Sequence, residues 1–172
     1  MDFFDTITTR QSIRAYTNQP VEEDKLQCIL EAANHAPSAG NRQAFEIYLV
    51  RSLSLRQNLV KAAGGQEFLA QAPVVLVFCT HPARNADRYG KRGESLYAVQ
   101  DATIACTFAM LAAAAQGIGS VWVGAFDESQ VRQILDLPDG ERPIILLPIG
   151  YPAELPERRG RRALSELVHP VS

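Results

Sequence analysis

Three features of the sequence predict an α+β domain built as a three-layer sandwich. Four apolar, strand-like runs stand at 45–50, 74–79, 120–125 and 144–150, set off by Gly, Pro and polar turns. A helix over Ser95–Gln116 is apolar on nearly every face, with only Gln100, Asp101 and Gln116 as strongly polar interruptions. The remaining helices fall between the strands in irregular pairs.

A helix of small residues that is apolar all round belongs in a core or at a subunit interface. Its alanines let neighbouring backbones approach closely at little entropic cost. The run is close to membrane-spanning length, but Asp101 and its weakly apolar residues argue for a protein interior.

From the start, Asp2–Thr9 forms a short amphipathic helix with Phe3, Phe4 and Ile7 on one side, and then runs into an extended polar stretch that Pro20 ends. Glu22–Ala36 repeats Leu26, Ile29, Leu30 and Ala33 at helical spacing, with Glu22, Glu23 and Asp24 at the positive end and Pro37 as the stop. PSAGNRQ (37–43) is turn chemistry placed just before a strand. Ser54–Ala63 is helical, Gly64 and Gly65 break it, and Glu67–Ala72 adds one more turn before Pro73 opens the strand VVLVFC. The polar, Arg-rich residues 80–94 read as a loop near the surface, with room for helical turns.

Beyond the central helix, Gly117 and Gly119 lead into the strand at 120–125, and Asp127 caps a helix ending near Leu135. LPDGERP turns the chain into the strand IILLPIG. In the Pro- and Arg-rich tail, about 153–172, Arg162–Val168 offers a small helix with Ala163, Leu164, Leu167 and Val168 on its apolar side. Such a tail needs something to hold it, and a partner subunit is the sensible candidate.

A chain of 172 residues is one comfortable domain, read here as spanning 1–172. A net charge of −2 gives no general attraction to nucleic acid or anionic lipid. Cys28, Cys79 and Cys106 are odd in number and widely spaced in apolar elements, which predicts reduced core thiols in the cytoplasm. The start lacks a signal-peptide pattern. No GxGxxG follows the first strand, and P-loop, HExxH, CxxC and GxSxG patterns are absent. His35, His81 and His169 lack metal-ligand spacing, so no metal is expected; His35 reads as a helix C-terminal residue.

In an extended chain Arg10, Ser12 and Arg14 share one face, which suits a phosphate; a solvated edge strand presents the same pattern. Asn41 and Gln43 likewise share a face if extended, and carboxamides can read a heterocycle's C=O and N–H edge or simply cap a turn. Trp122 and Gly124 bracket a strand end where a planar ligand could approach, although a tryptophan there also suits sheet packing. Arg158, Arg159, Arg161 and Arg162 could close over a phosphate or form a solvated face. Asp101, the one interior charge, fits a structural hydrogen bond or ion pair better than a base, because no acid or nucleophile partners it.

Taken in order, TRQSIRAY, PSAGNRQAF, QDATIACTFAMLAAAAQGIGSVWVGAF and LPIGYP with the Arg-rich tail resemble the nitroreductase family of FMN-dependent flavoproteins over nearly the whole chain. The resemblance implies a mostly antiparallel central sheet flanked by helices, and an intertwined homodimer with FMN at its interface. It places Arg10, Gln11, Ser12 and Arg14 at the phosphate and ribityl end, and Ser38, Asn41 and Gln43 around the cofactor. It sets Trp122 and Gly124 beside the ring and Arg159 and Arg161 on the phosphate. The flavin then carries the chemistry and no catalytic side chain is expected. The implied activity is ping-pong transfer from NAD(P)H to a nitroaromatic, quinone or similar acceptor. Alternatives are a specialised reductase or dehydrogenase of one metabolite, and a non-catalytic flavin-binding or interaction module. Ala44-Phe45 replaces the family's usual Pro-Trp, and the short chain suggests an open substrate cavity.

Overall fold

The structure, a computed structural model, describes residues 1–171. Asp2 caps α1 (Phe3–Thr9) by accepting from the Asp5 N–H, and α2 (Glu23–Asn34) begins on its acidic turn and ends at His35. A tight turn at Ala39–Asn41 leads into β1 (Phe45–Val50). Ser52 caps α3 (Leu53–Ala62), which is followed by the single turn α4 (Phe68–Gln71) and by β2 (Val74–Thr80).

The stretch 80–94, expected as a loop with at most helical turns, is helical from Ala83 onward. α5 (Ala83–Arg92) passes through a π-turn at Gly93–Tyr97 into α6 (Ala98–Ala115). Its polarity misleads because only one side is interior: Asn85 is buried while Arg84, Asp87, Arg88 and Arg92 face solvent. The strand expected at 120–125 shrinks to β3 (Gly119–Ser120) plus one bridge at Val123, leaving Trp122 37% exposed. Asp127 caps α7 (Glu128–Leu135) as expected, and β4 (Arg142–Gly150) follows.

The sheet is antiparallel in the order β1-β2-β4-β3. β2 lies at its centre and is buried on both faces, so its apolar run is continuous. Alternate residues serve two cores. Leu76 and Phe78 join Leu26, Ile29, Ala105 and Leu147 under α2 and α6, while Val75 and Val77 join Leu59, Val131 and Leu146 under α3 and α7. This is the three-layer sandwich that the sequence predicts. α6 packs on α2 and the sheet through Ala102, Ala105, Ala109 and Ala113; the other side of the helix, with Phe108 and Leu111, remains partly open.

Residues 12–17 run as an extra extended segment along the sheet edge. Ile13 N–H donates to Ser120 O at 3.0 Å, Thr17 N–H to Tyr151 O at 2.9 Å, and Ala153 N–H to Ala15 O at 2.9 Å. Gly119 permits this approach, because a Cβ there would stand 2.9 Å from Ile13 Cγ1. The chain's beginning is thereby stapled to the root of its tail. Beyond that root the described tail residues are nearly all exposed. The helix expected at Arg162–Val168 is one short turn at Leu164–Glu166, and Leu164, Leu167 and Val168 are exposed, as is Leu155 at 94%. A short apolar stripe has too little area to hold a helix without a partner surface. Ser172, the tail's last residue, lies outside the described residues.

Of the cysteines expected in the core, Cys28 is exposed, because it falls on the outer side of α2. Cys79 and Cys106 are buried, and burial pushes the Cys79 thiol up to about 12 and raises that of Cys106. Iodoacetamide at pH 8 is therefore expected to label Cys28 alone in the native protein, read as a single adduct by intact mass. Labelling of Cys79 without denaturant would contradict this packing.

Candidate functional site

Asp101 stands on the first turn of α6 and is 2% exposed. Its Oδ1 accepts the Ala39 N–H at 2.8 Å, and its Oδ2 accepts the Ala44 N–H at 3.3 Å and Asn85 Nδ2 at 3.1 Å. One carboxylate thus pins both ends of the loop 38–44 and ties α5 to it. This is the structural hydrogen-bonding role that the sequence favoured for Asp101. Asn85, wholly buried, keeps its own Oδ1 without a partner.

The pinned loop is strained. Gly40, Asn41 and Gln43 all have positive φ, at 54°, 57° and 48°. Two non-glycine residues in the left-handed region cost roughly 1–3 kcal/mol each, and such strain concentrates where a ligand is held. The segment is therefore not extended, as the shared-face argument assumed. Asn41 and Gln43 nevertheless meet, because Gln43 Nε2 donates to Asn41 Oδ1 at 2.9 Å. Ser38 Oγ accepts the Gln43 N–H at 3.0 Å and closes the turn. Both carboxamides keep further donors and acceptors for a ligand.

The second cluster gathers at the other end of α6. Arg10 and Gln11 line a cleft of about 210 Å³ with Ala114, Gly117 and Gly119. Burial and the nearby Arg161 both lower the Arg10 pKa, burial being the larger cause. A partly buried guanidinium with a second cation beside it suits an anion. Arg161 bends back on its own chain, donating to the Arg159 and Gly160 carbonyls at 3.0 and 3.1 Å. Arg159 is exposed. Ser12 bridges to Ser120, and the Arg14 N–H is taken by the Glu154 carboxylate. Trp122 lies across Gly124, its Nε1 3.5 Å from where a Cβ would be.

Within one protomer the predicted residues therefore form two groups. Ser38, Asn41 and Gln43 sit by the N-terminal end of α6, and Arg10, Gln11, Ser12 and Arg161 by its C-terminal end, with Trp122 and Gly124 following β3. From Asp101 to Ala114 is about 20 Å at 1.5 Å per residue.

A third cluster escaped the sequence reading, which found no acidic neighbour for its histidines. His81 Nδ1 lies 3.0 Å from Glu46 Oε1 and 3.8 Å from Glu141 Oε1. The three come from β1, the end of β2 and the start of β4, which only strand pairing brings together. Their ligand atoms lie within 4.8 Å of one another, close enough to hold a cation. The carboxylates already have partners, however: Arg84 holds Glu46 and Tyr48 donates to Glu141 at 2.5 Å.

The family model described as "Nitroreductase family" matches residues 7–66 and 53–151. The chain is 35% identical to an NADH dehydrogenase of Thermus thermophilus, covering 84% of each chain. It is 32% identical to an FMN reductase (NAD(P)H) of Bacillus subtilis, over 91% of this chain and 68% of that one. Among solved structures, the NADPH:FMN oxidoreductase of Vibrio harveyi complexed with NAD+ superposes with a TM-score of 0.90 at 28% identity, covering 98% of this chain and 76% of that one.

Asp101→Ala leaves two backbone N–H groups and the Asn85 amide without an acceptor, each costing about 1–3 kcal/mol. The variant is expected to lose about 3 kcal/mol or more in urea unfolding. A loss under 1 kcal/mol would show that the loop holds itself.

Proposed function

Because the chain belongs to the nitroreductase family, we propose that it is an FMN-dependent oxidoreductase that takes hydride from NAD(P)H and reduces a nitroaromatic, quinone or similar small acceptor. The observation that carries this reading is the cleft at the C-terminal end of α6, where partly buried Arg10 and Gln11 face the glycine backbone of Gly117 and Gly119 and Arg161, from the other end of the chain, stands close enough to lower the Arg10 pKa. A flavin phosphate of roughly two negative charges answers that arrangement. Arg10, Gln11, Ser12, Arg14, Arg159 and Arg161 would hold the phosphate and ribityl end. Ser38, Asn41 and Gln43 would hold the ring's polar edge, with Trp122 and Gly124 beside it.

When bound, the flavin supplies hydride and electron transfer, which accounts for a site with no acid–base dyad. This chain's residues bind, orient and tune. The strained amides and carboxamides of 40–43 present a fixed polar edge, while the guanidiniums neutralise the tail. Related proteins support the assignment by name: the Bacillus subtilis relative is an FMN reductase and a Salmonella typhimurium relative an oxygen-insensitive NADPH nitroreductase.

The reading includes a homodimer. The phosphate group and the carboxamide group lie at opposite ends of α6, whose outer side stays partly open. An isologous pair that crosses these helices antiparallel sets one end of each against the opposite end of its partner. Such an interface also gives the exposed apolar residues of α1 and the tail, Phe3, Phe4, Leu164 and Val168, a surface to cover. A soluble protein of the cytoplasm fits this picture, with α6 spent on protein contacts.

The test is direct. Protein desalted after incubation with FMN is expected to retain flavin absorbance, and anaerobic NAD(P)H to bleach it. Arg10→Ala and Arg161→Ala should each weaken FMN binding about tenfold or more in fluorescence titrations, the loss of one charge-assisted contact. Flavin lost on desalting with no quenching in titration would contradict the assignment. Retained flavin that neither nicotinamide bleaches would leave the binding module in its place.

A further inference from the structure

On the solvent side of the 38–44 loop, α5 and the π-turn build an aromatic support that holds two arginines. The Tyr89 and Tyr97 rings meet edge to face, 5.1 Å between centroids. The Arg88 guanidinium lies 5.4 Å over the Tyr89 ring and that of Arg92 lies 5.6 Å over the Tyr97 ring, with Arg92 Nε donating to the Tyr97 hydroxyl at 3.1 Å. Neighbouring arginines are neutralised: Arg42 pairs with Asp87, and Arg84 with Glu46. Arg88 and Arg92 form no ion pair among the described residues and are exposed. Two cations are thus held in place by stacking, with the Arg88 guanidinium and the Arg92 Nη groups without a hydrogen-bond partner among the described residues, so little ordering remains to be done when an anion arrives.

Their location gives the anion a context. At Gly40 an added Cβ would stand 2.5 Å from Tyr89 Oη and 2.9 Å from Arg88 Nη1, so the pair rests directly on the loop assigned to the flavin ring. A nicotinamide stacked at that ring must send the rest of its dinucleotide over some rim of the site, and this rim is cationic. The diphosphate bridge is common to NADH and NADPH and carries about one charge per phosphorus. A ribose phosphate monoester carries nearly two, with three acceptor oxygens, and suits two unpaired guanidiniums better.

We propose that Arg88 and Arg92, braced by Tyr89 and Tyr97, read the 2′-phosphate of NADPH and make this protein prefer NADPH to NADH. The inference rests on the reductase reading above and assigns one of its substrates.

Calorimetry on the FMN-loaded protein at fixed ionic strength tests it, with 2′,5′-ADP, 5′-AMP and inorganic phosphate as probes. In the wild type 2′,5′-ADP is expected to bind at least about tenfold more tightly than 5′-AMP, as two charge-assisted contacts would give. Inorganic phosphate should bind weakly. Arg88→Ala and Arg92→Ala should each erase most of that difference, Arg88→Lys should keep part of it, and the NADPH-to-NADH ratio of kcat/KM should fall in parallel. Retained flavin absorbance certifies each variant; should one lose flavin, the other variant and the wild-type preference decide. Equal affinity for the two nucleotides in the wild type overturns the proposal. So does an equal loss for both in the variants, which would mean that the arginines read the shared diphosphate. Flavin bleached equally fast by NADH and NADPH contradicts this assignment alone, whereas flavin bleached by neither contradicts the reductase reading.

Discussion

The carboxylate of Asp101 is the interaction on which the rest of the site depends. A charge taken out of water is tolerated only where donors replace the lost hydration, and here those donors are the Ala39 and Ala44 N–H groups and the Asn85 amide. The same bonds that stabilise the charge fix a loop whose residues Asn41 and Gln43 sit in unfavourable backbone conformations. Strain of that kind persists only when the surroundings over-determine it. Because Asn85 belongs to α5, the anchor also sets where the arginine-bearing helix lies against the loop. Loop, helix and central rod are thus joined through one carboxylate.

The other end of α6 shows the complementary design. Hydrogen bonds of ordinary length lace the N-terminal segment to the sheet edge and to the start of the tail. That lacing brings Arg10 and Arg161 within each other's field, although 151 positions separate them in sequence (161 − 10). Burial and the neighbouring Arg161 both disfavour the charge on Arg10, and in the proposed function a phosphate would relieve that cost. Catalytic economy in a flavoprotein of this kind lies in such placement, since the reactive chemistry resides in the cofactor. The exposed apolar residues of α1, α6 and the tail belong to the same logic, because the proposed subunit pairing would cover them and complete the site together.

Much of this was legible in the sequence, for reasons that differ residue by residue. The strands at 74–79 and 144–150 announced themselves because central antiparallel strands concentrate β-branched and apolar residues. Asp101 stood out because a lone charge in an alanine-rich helix has few explanations. The helical nature of 83–92 was hidden, since its polar surface and Gly90 mimic a loop and its one interior residue, Asn85, is itself polar. The strand at 120–125 was overstated because apolar residues there pack singly while the backbone leaves the ladder after Ser120. The Glu46–His81–Glu141 group could not be read at all, for its members meet only through strand pairing.

A crystal structure of the FMN complex tests the central claim most directly. The account predicts the phosphate between Arg10 and Arg161, the ring's polar edge against residues 40–43, and Asp101 still accepting from the Ala39 and Ala44 amides. Flavin bound elsewhere, or a loop that swings away and leaves the Asp101 carboxylate to other partners, would contradict it.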